Sequence, residues 1–187
     1  MRIARCFLAL YLGLIPPVVA ASPTPAPGGA MQRSSVEGCL GRWLFNGVWR
    51  VRATHVNKSA SYSTGGVSHG VEVALTVRNG TSQTLSPNAS GFADINGATI
   101  TLAYDNDNVV ALDGSGDSDY NAFWFKPLPP GGSATVKLDF PYGSNKDAKP
   151  VKVLIGIDPH SSANTAHVTY SVSNPSFRIK LTCGTAT

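Results

Sequence analysis

Apolar and polar residues alternate singly along most of the chain, the signature of strands with one buried and one wet face. In Val71-Glu72-Val73-Ala74-Leu75-Thr76-Val77-Arg78 every odd position is apolar, while Glu72, Thr76 and Arg78 point the other way. The same alternation sets Ile100, Leu102 and Tyr104 against Thr99 and Thr101, and Ala134, Val136, Leu138 and Phe140 against Ser133, Thr135, Lys137 and Asp139. It returns in Val168, Tyr170 and Val172, and in Phe177, Ile179 and Leu181 against Arg178, Lys180 and Thr182. Val151 to Ile157 is apolar on both faces for part of its length, which predicts a central strand. Turn chemistry separates the runs at Asn46-Gly47, Asn79-Gly80, Asn96-Gly97, Pro129-Pro130-Gly131-Gly132 and Asp158-Pro159. The expected fold is an all-β, antiparallel, immunoglobulin-like β-sandwich of about seven to nine strands with no helix.

The first residues follow a different logic. Arg2 and Arg5 make a positive start, Cys6 to Ala20 is apolar apart from Gly13 and Pro16-Pro17, and Val19-Ala20-Ala21 supplies small residues at a cleavage point. Residues 1–21 therefore read as a secretory signal peptide, since a spanning anchor needs about 20 apolar residues without such breaks. Residues 22–38, opening Ser-Pro-Thr-Pro-Ala-Pro-Gly-Gly, read as a disordered linker, and residues 39–187 as the sandwich domain. The expected location is secreted, periplasmic or at the cell surface, with no membrane span once the signal is removed.

Composition narrows the function classes. In 187 residues, 42% are hydrophobic and 14% charged, so the chain can bury a core, and 19 Gly with 13 Pro argue against long helices. The formal charge is +4, of which Arg2 and Arg5 contribute two units. The remaining basic residues read as scattered, with no Lys/Arg cluster interleaved with aromatics, so no nucleic-acid partner is expected.

The order of motifs adds a family likeness. A strand ending Val77-Arg78-Asn79 is followed by Gly91-Phe92-Ala93-Asp94-Ile95-Asn96-Gly97, then by Leu128-Pro129-Pro130-Gly131-Gly132-Ser133-Ala134-Thr135 with Leu138-Asp139-Phe140-Pro141, then by Val153-Leu154-Ile155-Gly156-Ile157-Asp158. This resembles the immunoglobulin-like domains of bacterial secreted proteins and lipoproteins grouped with the mycobacterial immunoprotective extracellular antigen, a family mostly of unknown function. The likeness runs from about Trp43 to Leu181. Two departures stand out: Cys6 is not behind a lipoprotein motif, and Trp43-Leu44-Phe45-Asn46-Gly47-Val48-Trp49 is unusually aromatic. The resemblance implies a binding or structural module and carries over no catalytic residue.

Candidate chemistry is sparse. Asp105-Asn106-Asp107-Asn108 and Asp113-Gly114-Ser115-Gly116-Asp117-Ser118-Asp119 alternate oxygen-bearing side chains as a Ca²⁺ loop does, and Asp113, Asp117 and Asp119 are the metal candidates. Ser118 stands where the helical calcium loop has Gly, and Trp124 where it has a bidentate Glu, so at most weak Ca²⁺ binding and no other cofactor is expected. In Asn121-Ala122-Phe123-Trp124-Phe125, a strand would put Phe123 and Phe125 on one face and Trp124 on the other, making all three candidates for ligand contact. Trp43, Phe45 and Trp49 read as the core plug of a first hairpin rather than a ligand platform. His55, His69, His160 and His167 are dispersed; His160 and His167 can meet across a turn but lack a nameable third ligand. No Gly-x-Ser-x-Gly, phosphate loop or His-Glu-x-x-His occurs. Asn57, Asn79 and Asn88 head acceptor sequons, meaningful only in a host that glycosylates them.

With Cys6 in the leader, Cys39 and Cys183 are the remaining cysteines, and an exported chain is expected to join them as a disulfide. Cys183 continues the inward phase of Phe177, Ile179 and Leu181. The favoured function is a secreted, non-catalytic binding or structural module of the cell envelope with a macromolecular partner at the cell surface. A carbohydrate-binding sandwich using Trp124 beside a calcium-braced loop is the alternative, and an unrecognised hydrolase or metal enzyme the third.

Overall fold

The computed structural model describes residues 35–63, 66–94, 99–113 and 118–183. Residues 1–21, read as a signal peptide, most of residues 22–38, read as a linker, Asn96-Gly97 and Asp117 lie outside them. Among the described residues, nine strands build two sheets, giving the expected β-sandwich. One sheet runs β1 (Val36–Cys39), β9 (Phe177–Lys180), β8 (Pro150–Ile155), β5 (Ile100–Tyr104), β6 (Val109–Ala111). The other runs β2 (Leu44–Phe45), β3 (Trp49–Ser63), β4 (Gly66–Asn79), β7 (Ser133–Pro141). All neighbours are antiparallel except β1 and β9.

The alternation does what it predicts. Ala134, Val136, Leu138 and Phe140 of β7 are buried opposite Val77, Leu75, Val73 and Val71 of β4, so each inward residue meets an inward partner. Ile100, Leu102 and Tyr104 of β5 and Phe177 and Ile179 of β9 close the core from the other sheet, with β8 central between them. Each such side chain contributes about 1.5–3 kcal/mol of burial.

A bulge interrupts the β3–β4 hairpin. Pairing steps from Ala53–Leu75 to His55–Ala74, and the inward phase passes from Val51 and Ala53 to Val56, which opposes Val73. The extra residue, Thr54, turns its hydroxyl to the Ala74 carbonyl at 3.2 Å.

Three expectations change. Val36–Gly38, read as the end of the linker, open β1 and pair with β9. Val168, Tyr170 and Val172 form no strand; they lie in the connection between Ile157 and Ser176, whose backbone is tied to other loops rather than to a ladder. A short helix, α1 (Ser118–Trp124), is present where none was expected.

Among the described residues, the two Asn-Gly pairs, Asn46-Gly47 and Asn79-Gly80, also differ from simple turns. Asn46 is fully buried at the β2–β3 turn, accepting from the N–H groups of Val48 (3.1 Å) and Trp49 (2.8 Å) and donating to the Pro175 carbonyl (2.8 Å). Asn79 is equally buried; its amide donates to the Gln83 and Leu128 carbonyls, both at 2.8 Å, while its oxygen accepts from the Thr81 N–H and hydroxyl. These amides replace the hydrogen bonds that the chain loses where it leaves the ladder.

Cys39 and Cys183 form the expected disulfide, with Cα atoms 5.8 Å apart. Because β9 stops at Lys180, Cys183 is not an inward position of that strand but lies three residues beyond it. Among the described residues, no helix is long and apolar enough to cross a membrane.

Candidate functional site

Two walls enclose a groove of about 500 Å³. The first is α1, seven residues long and too short to persist by itself. Tyr120 and Phe123, three positions apart, share its inner face and are buried. An edge-to-face series runs from Trp49 to Phe92 (5.9 Å) and from Phe92 to Phe123 (5.7 Å), and the Tyr120 hydroxyl donates to the Ala93 carbonyl. Asp119 sits in the first turn, where a carboxylate complements the helix N-terminus.

The second wall is the Ile157–Ser176 connection, which is long for a stretch without secondary structure and therefore a functional candidate. Its hydrogen bonds order it. Asn164 donates to the Pro159 carbonyl (2.9 Å) and accepts from the Val168 N–H (3.2 Å); Ala166 N–H reaches the Ala89 carbonyl (2.9 Å), and the Tyr170 hydroxyl reaches that of Ser90 (2.7 Å). Burial pushes the Tyr170 phenol up to about 12. Ser90 is held from beneath by the Trp49 indole N–H, 3.1 Å from its hydroxyl. The connection meets the Gly91–Asp94 segment, which also lines the groove, where Phe92 bridges Ile157. Gly91 permits that approach: its φ is +75°, and a Cβ there would lie 2.1 Å from the Asp158 carbonyl oxygen.

Trp124 lines the groove with Phe92, beneath a rim that includes Asp94, Asp158, Ser161 and Ser162. Its Nε1 is shut off from solvent and meets no acceptor among the described residues. A buried unpaired donor is costly, which makes its occurrence at a groove wall notable.

The aromatic triplet is thus placed by a helix terminus, not by a strand. Phe123 is core, Trp124 is half-buried in the groove, and Phe125 is 57% exposed beyond the helix, edge-on to Trp124 at 4.9 Å. A period of two cannot be told from a helix end over three residues.

The core plug divides in the same manner. Trp49 is fully buried, whereas Trp43 and Phe45 are 42% and 39% exposed. Each carries an arginine: the Arg50 guanidinium is 4.3 Å from the Phe45 ring centre and that of Arg52 is 4.7 Å from Trp43. The basic residues read as scattered therefore do gather with aromatics, because β2 and β3 set residues 43–45 beside residues 50–52. The signal in sequence was the run from Arg42 to Arg52 itself, with Trp43, Phe45 and Trp49 between arginines.

The remaining candidates stay apart. Asp113 donates its N–H to the Asp139 carbonyl (3.0 Å), Asp119 is exposed on α1, and Asp117 is outside the described residues. Among the described residues, no group of three His, Cys, Asp or Glu stands close enough to hold a metal ion. His55 lies 3.9 Å from Glu72, which pairs with Lys137 at 2.9 Å; His160 accompanies Asp158, whose carboxylate accepts its N–H at 2.9 Å.

No family model and no curated protein matches the chain. Among solved structures it is similar to the yjhA protein from Bacillus subtilis, with 16% identity, 77% of this chain and 99% of that chain covered, and a TM-score of 0.49. It is also similar to an uncharacterized beta-sandwich protein from Clostridium difficile 630, with 12% identity, 81% and 97% coverage and a TM-score of 0.42.

Proposed function

We propose that the chain is a non-catalytic binding module working outside the cytoplasm, with the groove between α1 and the Ile157–Ser176 connection as its binding site. The groove itself carries this reading: a long irregular segment is ordered by side-chain hydrogen bonds into a wall facing Trp124. Recognition commonly lives on such loops, held by a rigid scaffold. The Cys39–Cys183 disulfide supports an oxidising compartment, in keeping with the leader-like residues 1–21 and with the immunoglobulin-like secreted family.

The groove's make-up favours a sugar ring as occupant. The Trp124 indole supplies an apolar surface on which a pyranose stacks, and the hydroxyls of Ser161 and Ser162 with the carboxylates of Asp94 and Asp158 supply partners for its hydroxyls. The sugar reading stands here without its calcium brace. Titration with short neutral oligosaccharides tests it: saturable binding lost in Trp124→Ala and in Asp158→Ala supports the site, and binding unchanged in both variants refutes it.

A further inference from the structure

The outer face of the four-stranded sheet carries a cationic and aromatic surface that the groove reading does not use. Val51 and Val77 point into the core, so Arg50, Arg52 and Arg78 point outward. Register puts Phe45, Arg50, Arg78 and Ser133 in one row across β2, β3, β4 and β7, with Arg52 one step along opposite Thr76. Like charges directly opposite each other destabilise a sheet, as Arg50 and Arg78 do here. None of the three arginines meets a carboxylate among the described residues, whereas Lys137 and Arg178 do. Arg52 Nε finds no acceptor either, although it is shut off from water, and Arg78 directs its Nε to the Gly131 carbonyl at 2.8 Å.

The aromatic rings hold this charge in place. Phe45 rests on Gly80, where a Cβ would come within 2.6 Å of its ring, and carries Arg50 on its face. Trp43 carries Arg52 in the same way. A stacked guanidinium is already ordered, so little freedom is lost when an anion joins it.

The geometry points to an acidic polysaccharide, a chain of uronate-type sugars, as the occupant of this face. Three features select it. The arginines spread over one face of the sheet, roughly 7 Å apart along a strand and 5 Å across strands, which suits a polymer with repeated charges. Exposed ring edges stand beside the guanidiniums, matching a sugar that offers a C–H face and a carboxylate together. An added peptide strand is disfavoured because β2, at this edge of the sheet, has only two residues.

The test titrates the full chain with short oligogalacturonate at low salt, by calorimetry, beside neutral dextran, poly-glutamate and single-stranded DNA. Saturable binding to oligogalacturonate that weakens with added salt is expected, with any dextran binding insensitive to salt and to the arginine substitutions, and weaker binding to the other two polyanions. The double variant Arg50→Gln, Arg52→Gln should lose about tenfold or more in affinity, and Trp43→Ala, with its charge intact, several-fold. Should the double variant melt early, Arg78→Gln, exposed in the same row, gives the same reading. Trp124→Ala should bind as the unmodified chain does, which separates this face from the groove. Absent binding, equal binding by the arginine variants, or poly-glutamate or DNA bound as tightly as the uronate would overturn the proposal.

Discussion

Removing the Cys39–Cys183 disulfide perturbs the unfolded chain more than the folded one. The cysteines are 144 residues apart, so the bond closes almost the whole domain. A closed loop of that length stabilises by about 5 kcal/mol in the chain-entropy model. Some of this is offset, because a compact unfolded ensemble already restricts the chain, leaving about 3–5 kcal/mol. In the folded state β1 would still pair with β9 over four positions and Leu40 N–H would still reach the Lys180 carbonyl at 2.8 Å, so the core should persist. For a domain of this size the melting entropy is about 0.3 kcal/mol per degree, which converts the loss into a fall of roughly 10–15 °C. Calorimetry and urea unfolding of the Cys39→Ala, Cys183→Ala double variant measure it. The reduced parent chain should match that variant, and thiol titration of the unfolded, unreduced chain should find neither Cys39 nor Cys183 reactive. A loss under about 1 kcal/mol, or reactive thiols at both positions without reductant, refutes the bridge.

Three further outcomes follow from single residues. Asn79→Ala should cost about 2–3 kcal/mol in urea unfolding rather than the full worth of four bonds, because Leu85 still donates to the Leu128 carbonyl and Thr81 to that of Gln83; a cost under about 1 kcal/mol would show that the buried amide holds nothing together. Tyr104 is buried with its hydroxyl unpaired among the described residues, so Tyr104→Phe should stabilise by about 1 kcal/mol, and a lower melting temperature would contradict this. The neutral Tyr170 phenol is favoured in the folded state, so its contribution is complete below pH 10 and fades as pH rises toward about 12. That pH-dependent part is of the order of 2 kcal/mol. It should vanish from the alkaline stability profile of Tyr170→Phe; identical slopes in the two proteins would refute it.

What was legible in the sequence is what depends on a residue and its next neighbours. Ala134 to Phe140 and Val71 to Val77 announce their buried faces by alternation alone, and both are inward in the structure. What depends on register was hidden. Arg50 and Arg78 are 28 positions apart and become neighbours only when Val51 pairs with Val77. Val56 faces inward only because the Thr54 bulge shifts the phase. The Val168, Tyr170 and Val172 alternation is real, but the segment bonds to Ala89 and Ser90 instead of to a strand, so Val168 and Tyr170 pack against the core from a loop. Asn79 looked like a turn residue because its partners, Gln83 and the buried Leu128, come from two different loops. α1 was missed because a helix of seven residues, ending inside the aromatic run Phe123-Trp124-Phe125, has no measurable period.

Occupancy of the groove beside Trp124 by a ligand is the proposal most directly open to test, because the indole N–H signals of the three tryptophans report on it. In a ¹H–¹⁵N spectrum of the labelled chain, titration with short neutral oligosaccharides should move the Trp124 indole signal saturably. The Trp49 signal, fixed by its bond to Ser90, and the Trp43 signal on the sheet face should stay in place. A Trp124 signal that stays put across the whole series of sugars, or one that moves only together with those of Trp43 and Trp49, would contradict the account.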